Sequence, residues 1–194
     1  MNPHHITGYC FLSAVPMRSE PSDKAEMVNQ LLKGDTFEVL EREEKWSYIR
    51  CNYDGYEGWV DNKQYVPFAD AASLAEGLFL GTPYLWGGLT IMGIDCSGLT
   101  QVCFKSCGIR LLRDASQQAT QGTVVADLSD ARRDDLCFFC NSKGNIVHVG
   151  IYLGNGKIIH SSGQVRIDTL TATGIVNDDT KQLTHTLYSI RRMV

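Results

Sequence analysis

The first third of the chain alternates apolar and polar residues with the period of a half-buried strand. This alternation is clear in residues 35–41 and again in residues 46–53. Asp54-Gly55 then separates two strand-like runs, and this dipeptide is typical of a tight β-hairpin. Short strands with closely spaced turn residues favour a small barrel. We therefore predict a β domain over residues 1–68.

Beyond this domain, apolar residues recur every three or four positions, which is the period of a helix. This spacing predicts one helix over residues 69–81 and a second over residues 96–108. Residues 113–122 predict a third, shorter helix, which a capping box begins at Asp114.

Four strand-like runs follow the helices, and two of them form a predicted hairpin. Residues 146–154 and 156–163 are largely apolar and are joined by a tight Gly-Asn-Gly turn. Residues 135–141 and 185–194 are the other two runs. Helices followed by antiparallel strands are typical of the α+β class. We predict a second domain over residues 69–194, with its helices packed on an antiparallel sheet.

Composition narrows the range of partners. The formal net charge of -4 provides no basic face for nucleic acid, and no apolar run approaches the ~20 residues of a membrane span. The N-terminal residues lack the charged start and long apolar core of a signal peptide. Seven cysteines without framework spacing favour free thiols in a reducing compartment. We expect a cytoplasmic monomer; the alternative is a periplasmic or secreted protein whose signal peptide has been removed.

Cys96 differs from the other six cysteines because it lies where a predicted helix begins. A helix N-terminus and a neighbouring imidazole both lower the pKa of a thiol and so favour a nucleophile. His148 and His160 lie on the strands of the predicted hairpin, roughly opposite each other, whereas His4 and His5 lie in the N-terminal segment. One imidazole is then the base for the thiol and the other orients it. The alternative is two half-buried strand histidines and a buried helix cysteine.

The closely spaced cysteines do not predict a metal site. Cys137 and Cys140 fall in a strand-like run, where positions three apart point to opposite faces. Cys103 and Cys107 are better explained as the buried face of the helix that begins at Cys96. We therefore expect neither a metal nor another cofactor.

Three blocks of sequence around Cys96 and the two histidines resemble a known enzyme family. DCSGLTQVCF, HVGIYLGNG and IIHSSG look like the signature blocks of NlpC/P60 cysteine peptidases, and TPYLWGG, LLRDASQQ and DLCFF also match. The resemblance extends over most of residues 70–194 and implies a compact papain-like fold. It also implies that Cys96 is the nucleophile, His148 the general base and His160 the orienting third residue.

The N-terminal domain resembles a bacterial SH3-like (SH3b) domain in its VPMRSEPS and DGYEGWV segments. An SH3b domain followed by an NlpC/P60 domain is similar to the γ-D-glutamyl-L-diamino acid endopeptidases. That likeness implies cleavage between γ-D-Glu and diaminopimelate or lysine in cell-wall peptides with a free N-terminal L-Ala. The implied substrate is a murein peptide such as L-Ala-γ-D-Glu-diaminopimelate, and the implied role is murein peptide recycling or wall turnover.

The same likeness implies a set of substrate-binding residues. Tyr56 of the SH3b domain is expected to reach the cleft and, with Asp95, to hold the free amine of the substrate, since an ammonium favours a carboxylate partner. The other residues expected to line the pocket are Tyr84, Trp86, Ser97 and Ser116. Arg113 is expected to form a structural ion pair rather than to bind a substrate carboxylate.

Each of these substrate-binding residues also has a structural alternative. Asp95 is well suited to cap the helix that follows it. Tyr84 and Trp86 fit a core role, Tyr56 fits packing within the SH3-like domain, and Ser116 fits a solvent-facing position on a helix.

Two other functions are compatible with the same residues. The chain is a non-catalytic peptidoglycan-binding module if the second domain is inert. It is an acyl or amide transferase if the Cys-His-His site passes its acyl group to another amine, because hydrolysis and transfer share the acyl-enzyme.

Overall fold

The computed structural model describes residues 6–193, and these divide into two compact units between Ala69 and Asp70. Each unit forms its own seven-stranded sheet, and the strand pairs within both sheets are antiparallel. His4 and His5 lie outside the described residues. Within residues 6–193, no helix combines the length and the hydropathy that crossing a membrane requires.

The first unit is built from seven short strands, as the turn spacing predicts. They are β1 (Ile6–Tyr9), β2 (Ala14–Arg18), β3 (Met27–Leu32), β4 (Thr36–Arg42), β5 (Trp46–Cys51), β6 (Glu57–Asp61) and β7 (Val66–Phe68). Their order across the sheet is β3-β2-β6-β5-β4-β1-β7. These strands confirm the predicted SH3-like fold.

The alternation in the sequence corresponds to a buried and a more exposed face in β4 and β5 of the first unit. In β4 the buried side chains are Phe37 and Val39, and in β5 they include Ile49 and Cys51. Each apolar side chain of this size stabilises the fold by ~1.5–3 kcal/mol when it is fully buried. The predicted hairpin joins β5 to β6, and Gly55 adopts a left-handed φ of 74° in its turn, which glycine tolerates best.

The second unit places its helices ahead of most of its strands. The helices are α1 (Ala71–Leu74), α2 (Cys96–Ser106) and α3 (Ala115–Gln118). The strands are β8 (Leu89–Thr90), β9 (Gly93–Ile94), β10 (Thr123–Val125), β11 (Leu136–Cys140), β12 (Ile146–Gly154), β13 (Lys157–Ser162), β14 (Gln164–Thr171), β15 (Gly174–Val176) and β16 (Leu183–Arg192). This α+β content confirms the predicted fold class.

Only the central helix has the predicted extent. The helix predicted over residues 69–81 is α-helical in α1 alone and continues as a π-helical segment, Ala75–Phe79. Gly77 lies in that segment, and glycine weakens an α-helix because it loses more backbone entropy than other residues. The third helix, predicted over residues 113–122, is only the single turn of α3, after which Gln121 bonds back to the backbone of the preceding loop.

Six strands of the second unit close into a barrel. The sheet order is β10-β16-β11-β12-β13-β14-β15, and β16 also pairs with β15, which closes the ring from β11 to β16. The sequence predicted neither β14 nor β15, so it did not predict this closure. One face of β12 packs against α2, and the other face lies inside the barrel, next to apolar residues such as Phe139 and Ile158.

Candidate active site

Cys96 is the first residue of α2, and Asp95 caps that helix. The Oδ1 atom of Asp95 accepts the backbone N–H of Gly98 at 2.6 Å, and its Oδ2 atom accepts the backbone N–H of Gly87 at 2.7 Å. The cap fixes where the helix begins and therefore where the thiol lies. Cys96 is only 7% exposed in this position.

Burial raises the pKa of the Cys96 thiol above its ordinary value, and the negative charge of Asp95 raises it further. Backbone hydrogen bonding from Val149 opposes this rise without reversing it. The backbone N–H groups of Cys96 and Ser97 at the helix start do lower the pKa, but desolvation of the thiolate outweighs them, so the expectation of a lowered pKa overall is wrong. A nucleophilic role for Cys96 therefore requires a base that removes its proton.

The predicted base lies next to that backbone contact, on the inner face of the barrel. His148 is on β12 and His160 on β13, and the register pairs His160 with Gly150. The two histidines are thus diagonal neighbours, not opposite each other as predicted, because the turn is centred on Asn155. Diagonal partners are still within reach of long side chains. The Nε2 atom of His148 and the Nδ1 atom of His160 are 2.9 Å apart.

Asp168 extends this pair, and sequence reasoning missed it. It lies on β14, one strand beyond His160, and is 1% exposed. Its Oδ2 atom is 3.0 Å from the Nε2 atom of His160. Burial alone raises the pKa of this carboxyl, but hydrogen bonds from His160 and Arg166 outweigh it and hold the pKa below its usual range. A prediction of β14 as a strand on this sheet would have placed Asp168 on the inner face.

His185 packs against the predicted base and was not selected from the sequence. It lies on β16, and its ring stacks on that of His148 with centroids 4.1 Å apart and planes 25° apart. His160 meets the His148 ring edge-on, and Phe139 lies against it at a tilt. Rings on several sides therefore restrict how the imidazole of His148 can turn.

This surrounding favours the uncharged forms of His148 and His185. Burial lowers the pKa of His148 well below its ordinary value, and the nearby His160 and His185 lower it further. Burial also lowers the pKa of His185 to about 4, again with a contribution from His160. At neutral pH the His148 ring is therefore a neutral imidazole, which is the form that accepts a proton.

The three histidines do not have the geometry of a shared metal site. Their ring nitrogens lie within 4.8 Å of one another. A metal ion would have to lie near the plane of each ring at about 2.0–2.1 Å from its nitrogen. The rings of His148 and His185 are stacked and nearly parallel, so no single point satisfies both.

Asp95 is already engaged within the second unit. The guanidinium of Arg113 donates to both of its oxygens, at 3.0 and 2.6 Å. Arg113 also donates to the hydroxyl of Ser97 at 2.9 Å. Burial raises the pKa of Asp95, but hydrogen bonds from Arg113 and the backbone outweigh it and lower the pKa overall. The ion pair expected for Arg113 is thus present, and it holds Asp95 and Ser97 beside the thiol.

A pocket of about 310 Å³ opens beside the predicted base. Its lining residues are Tyr84, Val147, His148, Ser161, Ser162, Gly163 and His185. Tyr84 is the one pocket residue of the sequence prediction that borders this space. The pocket therefore lies on the His148 side of the site.

Comparison with known proteins shows to which family this chain belongs. A family model described as the NlpC/P60 family matches residues 81–184, and these residues include Cys96, His148, His160 and Asp168. The chain belongs to the NlpC/P60 family. This is a family of cysteine peptidases, and a second model, the bacterial dipeptidyl-peptidase Sh3 domain, matches residues 17–64.

Two curated relatives of this chain share one name with each other. The γ-D-glutamyl-L-lysine dipeptidyl-peptidase of Bacillus subtilis (strain 168) is 41% identical over 128 residues, which is 60% of this chain and 43% of the relative. The protein of that name from Bacillus cereus is 36% identical over 155 residues, which is 76% of this chain and 46% of the relative. The chain thus spans less than half the length of these relatives.

Solved structures of the NlpC/P60 family share the fold. A family member from Bacillus cereus superimposes with a TM-score of 0.61 at 24% identity, over 97% of this chain and 63% of the other. NlpC2 from Trichomonas vaginalis gives a TM-score of 0.55 at 26% identity, over 97% of this chain and 72% of the other.

Three of the residues carried over from the NlpC/P60 family are exposed. Trp86 is 84% exposed, and Ser116 is exposed on α3. Tyr56 belongs to the first unit, where it is 42% exposed and its hydroxyl donates to the carbonyl of Val28 at 3.3 Å. The substrate roles of these residues stay predictions.

Proposed function

We propose that the chain is a cysteine endopeptidase that hydrolyses the bond between γ-D-Glu and an L-diamino acid in cell-wall peptides. The substrate is a short peptide with a free N-terminal L-Ala, and the diamino acid is lysine or diaminopimelate. The observation that carries this proposal is the hydrogen-bonded series His148–His160–Asp168, because the backbone of Val149, the residue after His148, bonds to the buried Cys96 thiol at the start of α2.

The geometry supports general-base activation of the thiol. The Nε2 atom of His148 faces His160, which leaves Nδ1 for the thiol proton. The Cys96 thiolate attacks the amide carbonyl as His148 takes that proton, and the imidazolium then protonates the leaving amine. Water hydrolyses the resulting thioester. The backbone N–H of Cys96 at the helix start and the Tyr84 hydroxyl are the donors proposed for the oxyanion.

Relatives support the choice of bond. Two of them are named for γ-D-glutamyl-L-lysine, at 41% and 36% identity to this chain. Recognition of the free amine is assigned to Asp95 and Tyr56.

Incubation with synthetic L-Ala-γ-D-Glu-L-Lys and its diaminopimelate counterpart tests the proposal. We expect mass spectrometry to detect L-Ala-γ-D-Glu and the free diamino acid. Cys96→Ala should abolish the product, whereas Cys107→Ala, at the other end of α2, should retain it. An N-acetylated peptide should be cleaved much more slowly. Product from Cys96→Ala, or no product from the wild type, would contradict the proposal.

The same assay separates the rival functions. An added amine that appears in a new amide product would indicate transfer, and retention on sedimented peptidoglycan without cleavage would indicate a binding module. We further propose that the protein acts in the cytoplasm on recycled wall peptides. Cell fractionation with an antibody tests that location, and recovery from the culture medium would contradict it.

A further inference from the structure

The hydrogen bonds inside the barrel determine more than the position of the histidine rings. We propose that Asp168 is a positioning residue that sets the tautomers of His160 and His148, and so keeps the lone pair of His148 Nδ1 available to the thiol. This inference rests on the proposed function, because it assigns His148 as the base for Cys96.

The first step is the protonation state of Asp168. Its oxygens accept the Nε and Nη2 groups of Arg166 at 2.7 and 2.9 Å, and also the backbone N–H of Asp178 at 2.9 Å. These donors stabilise an ionised carboxylate, which can only accept hydrogen bonds. The Nε2 atom of His160, 3.0 Å from the same carboxylate, must therefore carry a hydrogen.

The second step passes this constraint to the base. A neutral His160 with its hydrogen on Nε2 presents a lone pair at Nδ1. That lone pair faces the Nε2 atom of His148 at 2.9 Å, and two lone pairs at this distance would repel each other. His148 must therefore carry its hydrogen on Nε2, and its Nδ1 atom is left unprotonated.

The third step concerns the charge that forms during the reaction. His148 becomes an imidazolium when it accepts the thiol proton, and it lies among buried rings that disfavour a positive charge. The ionised Asp168 compensates for that charge through His160. This arrangement follows the logic of a base oriented by a hydrogen-bonded acid, with one additional imidazole between them.

Asp168→Asn tests the inference because it keeps the size of the side chain and removes its charge. The amide can donate to His160 Nε2, which reverses both tautomers and places a hydrogen on His148 Nδ1. We expect kcat to fall by roughly 10²–10⁴-fold, with a much smaller change in KM, as in other sites where an orienting acid is removed. The matched control is Asp179→Asn, which removes only the outer partner of Arg166 and should change kcat by less than about threefold.

Imidazole ¹⁵N NMR of the wild-type protein provides a readout independent of activity. We expect the shift of an unprotonated nitrogen at His148 Nδ1 and that of a protonated one at Nε2, with the two exchanged in Asp168→Asn. A protonated Nδ1 in the wild type would overturn the inference, even if the variant did not fold. An unchanged kcat with unchanged tautomers in a folded Asp168→Asn variant would also overturn it. If the wild type shows the expected tautomers but cleaves no peptide, the proposed function fails, whereas the tautomer assignment stands.

Discussion

Both units bury one face of an antiparallel sheet, but the second buries far more polar groups. Eleven polar or charged side chains are buried among residues 6–193, and only Ser47 belongs to the first unit. Its hydroxyl is 2.9 Å from that of Tyr65.

The second unit buries His148, His160 and Asp168 in one connected series. Buried polar groups cost stability unless they are paired. The first interior is therefore stabilised almost entirely by apolar packing, whereas the second also depends on the pairing of its buried polar groups.

The sharpest test of this contrast changes one buried polar group in each unit. We expect His148→Ala to lower kcat by roughly 10²–10⁴-fold, because the thiol loses its base. Ser47→Ala should leave kcat unchanged and should lower the free energy of unfolding by about 1 kcal/mol. Steady-state kinetics and urea denaturation measure the two effects. A loss of kcat in Ser47→Ala comparable to that of His148→Ala would break the contrast.

Substitution of Gly174 tests the closure of the barrel in the second unit. This residue has a φ of 144°, and an added Cβ would lie 1.8 Å from the carbonyl oxygen of His185. We expect Gly174→Ala to lower the free energy of unfolding by more than about 2 kcal/mol, because β15 and β16 must separate.

Gly144→Ala is the matched control for Gly174→Ala. Gly144 also has a positive φ, of 79°, but no atom lies within 4 Å of its added Cβ. Its substitution should cost about 1 kcal/mol from backbone conformation alone. Denaturant unfolding midpoints compare the two variants. Equal losses of stability would show that β15 and β16 accommodate the added methyl group without separating.

A smaller effect is expected at His185. His185→Ala removes the ring stacked on His148, and such pairs contribute about 0.5–1.5 kcal/mol, so kcat should fall by up to roughly tenfold. His185→Phe keeps a ring in place and should retain most of the wild-type kcat. If both variants have the same kcat, the stack does not position the base.

The smallest effect is the pH dependence that Asp134 gives to the second unit. Burial raises the pKa of Asp134 to about 6, against about 3.9 in an unfolded chain. Between these values the folded state binds more protons than the unfolded state, so stability falls as pH rises. Asp134→Asn should make the decrease in the free energy of unfolding between pH 4 and 7 smaller by on the order of 1 kcal/mol. The effect is no larger because solvent screens a half-buried group. Urea denaturation from pH 4 to 7 measures it, and an unchanged slope would contradict the assignment.

Local patterns in the sequence predicted the elements whose signals lie within a few residues. The start of α2 at Cys96, its cap by Asp95 and the hairpin that carries His148 and His160 follow from adjacent residues. The pairing offset between the two histidines was wrong by two residues. A turn centred on Asn155, as the Gly-Asn-Gly motif indicates, pairs His160 with Gly150, so the sequence already contained the correct offset.

The two missed residues of the site have different causes. Asp168 reaches His160 across the hairpin of β13 and β14, and the sequence reasoning missed it because it did not predict β14 as a strand. His185 reaches His148 because the distant β16 joins the sheet, and no local pattern predicts that pairing. The pKa of the Cys96 thiol was also predicted in the wrong direction. A helix start is visible in sequence, whereas the burial that outweighs it is a property of the whole fold.

The closed ring of β11 to β16 also affects the motion of the protein. An open sheet can fray from an edge strand, but β12 and β13 are each paired on both sides within a ring that has no free edge. Their amide hydrogens should therefore exchange with deuterium only through large-scale unfolding, on the slowest timescale of the second unit. The imidazoles carried by these two strands would then keep their spacing for as long as the domain stays folded, without a loop that must close over them.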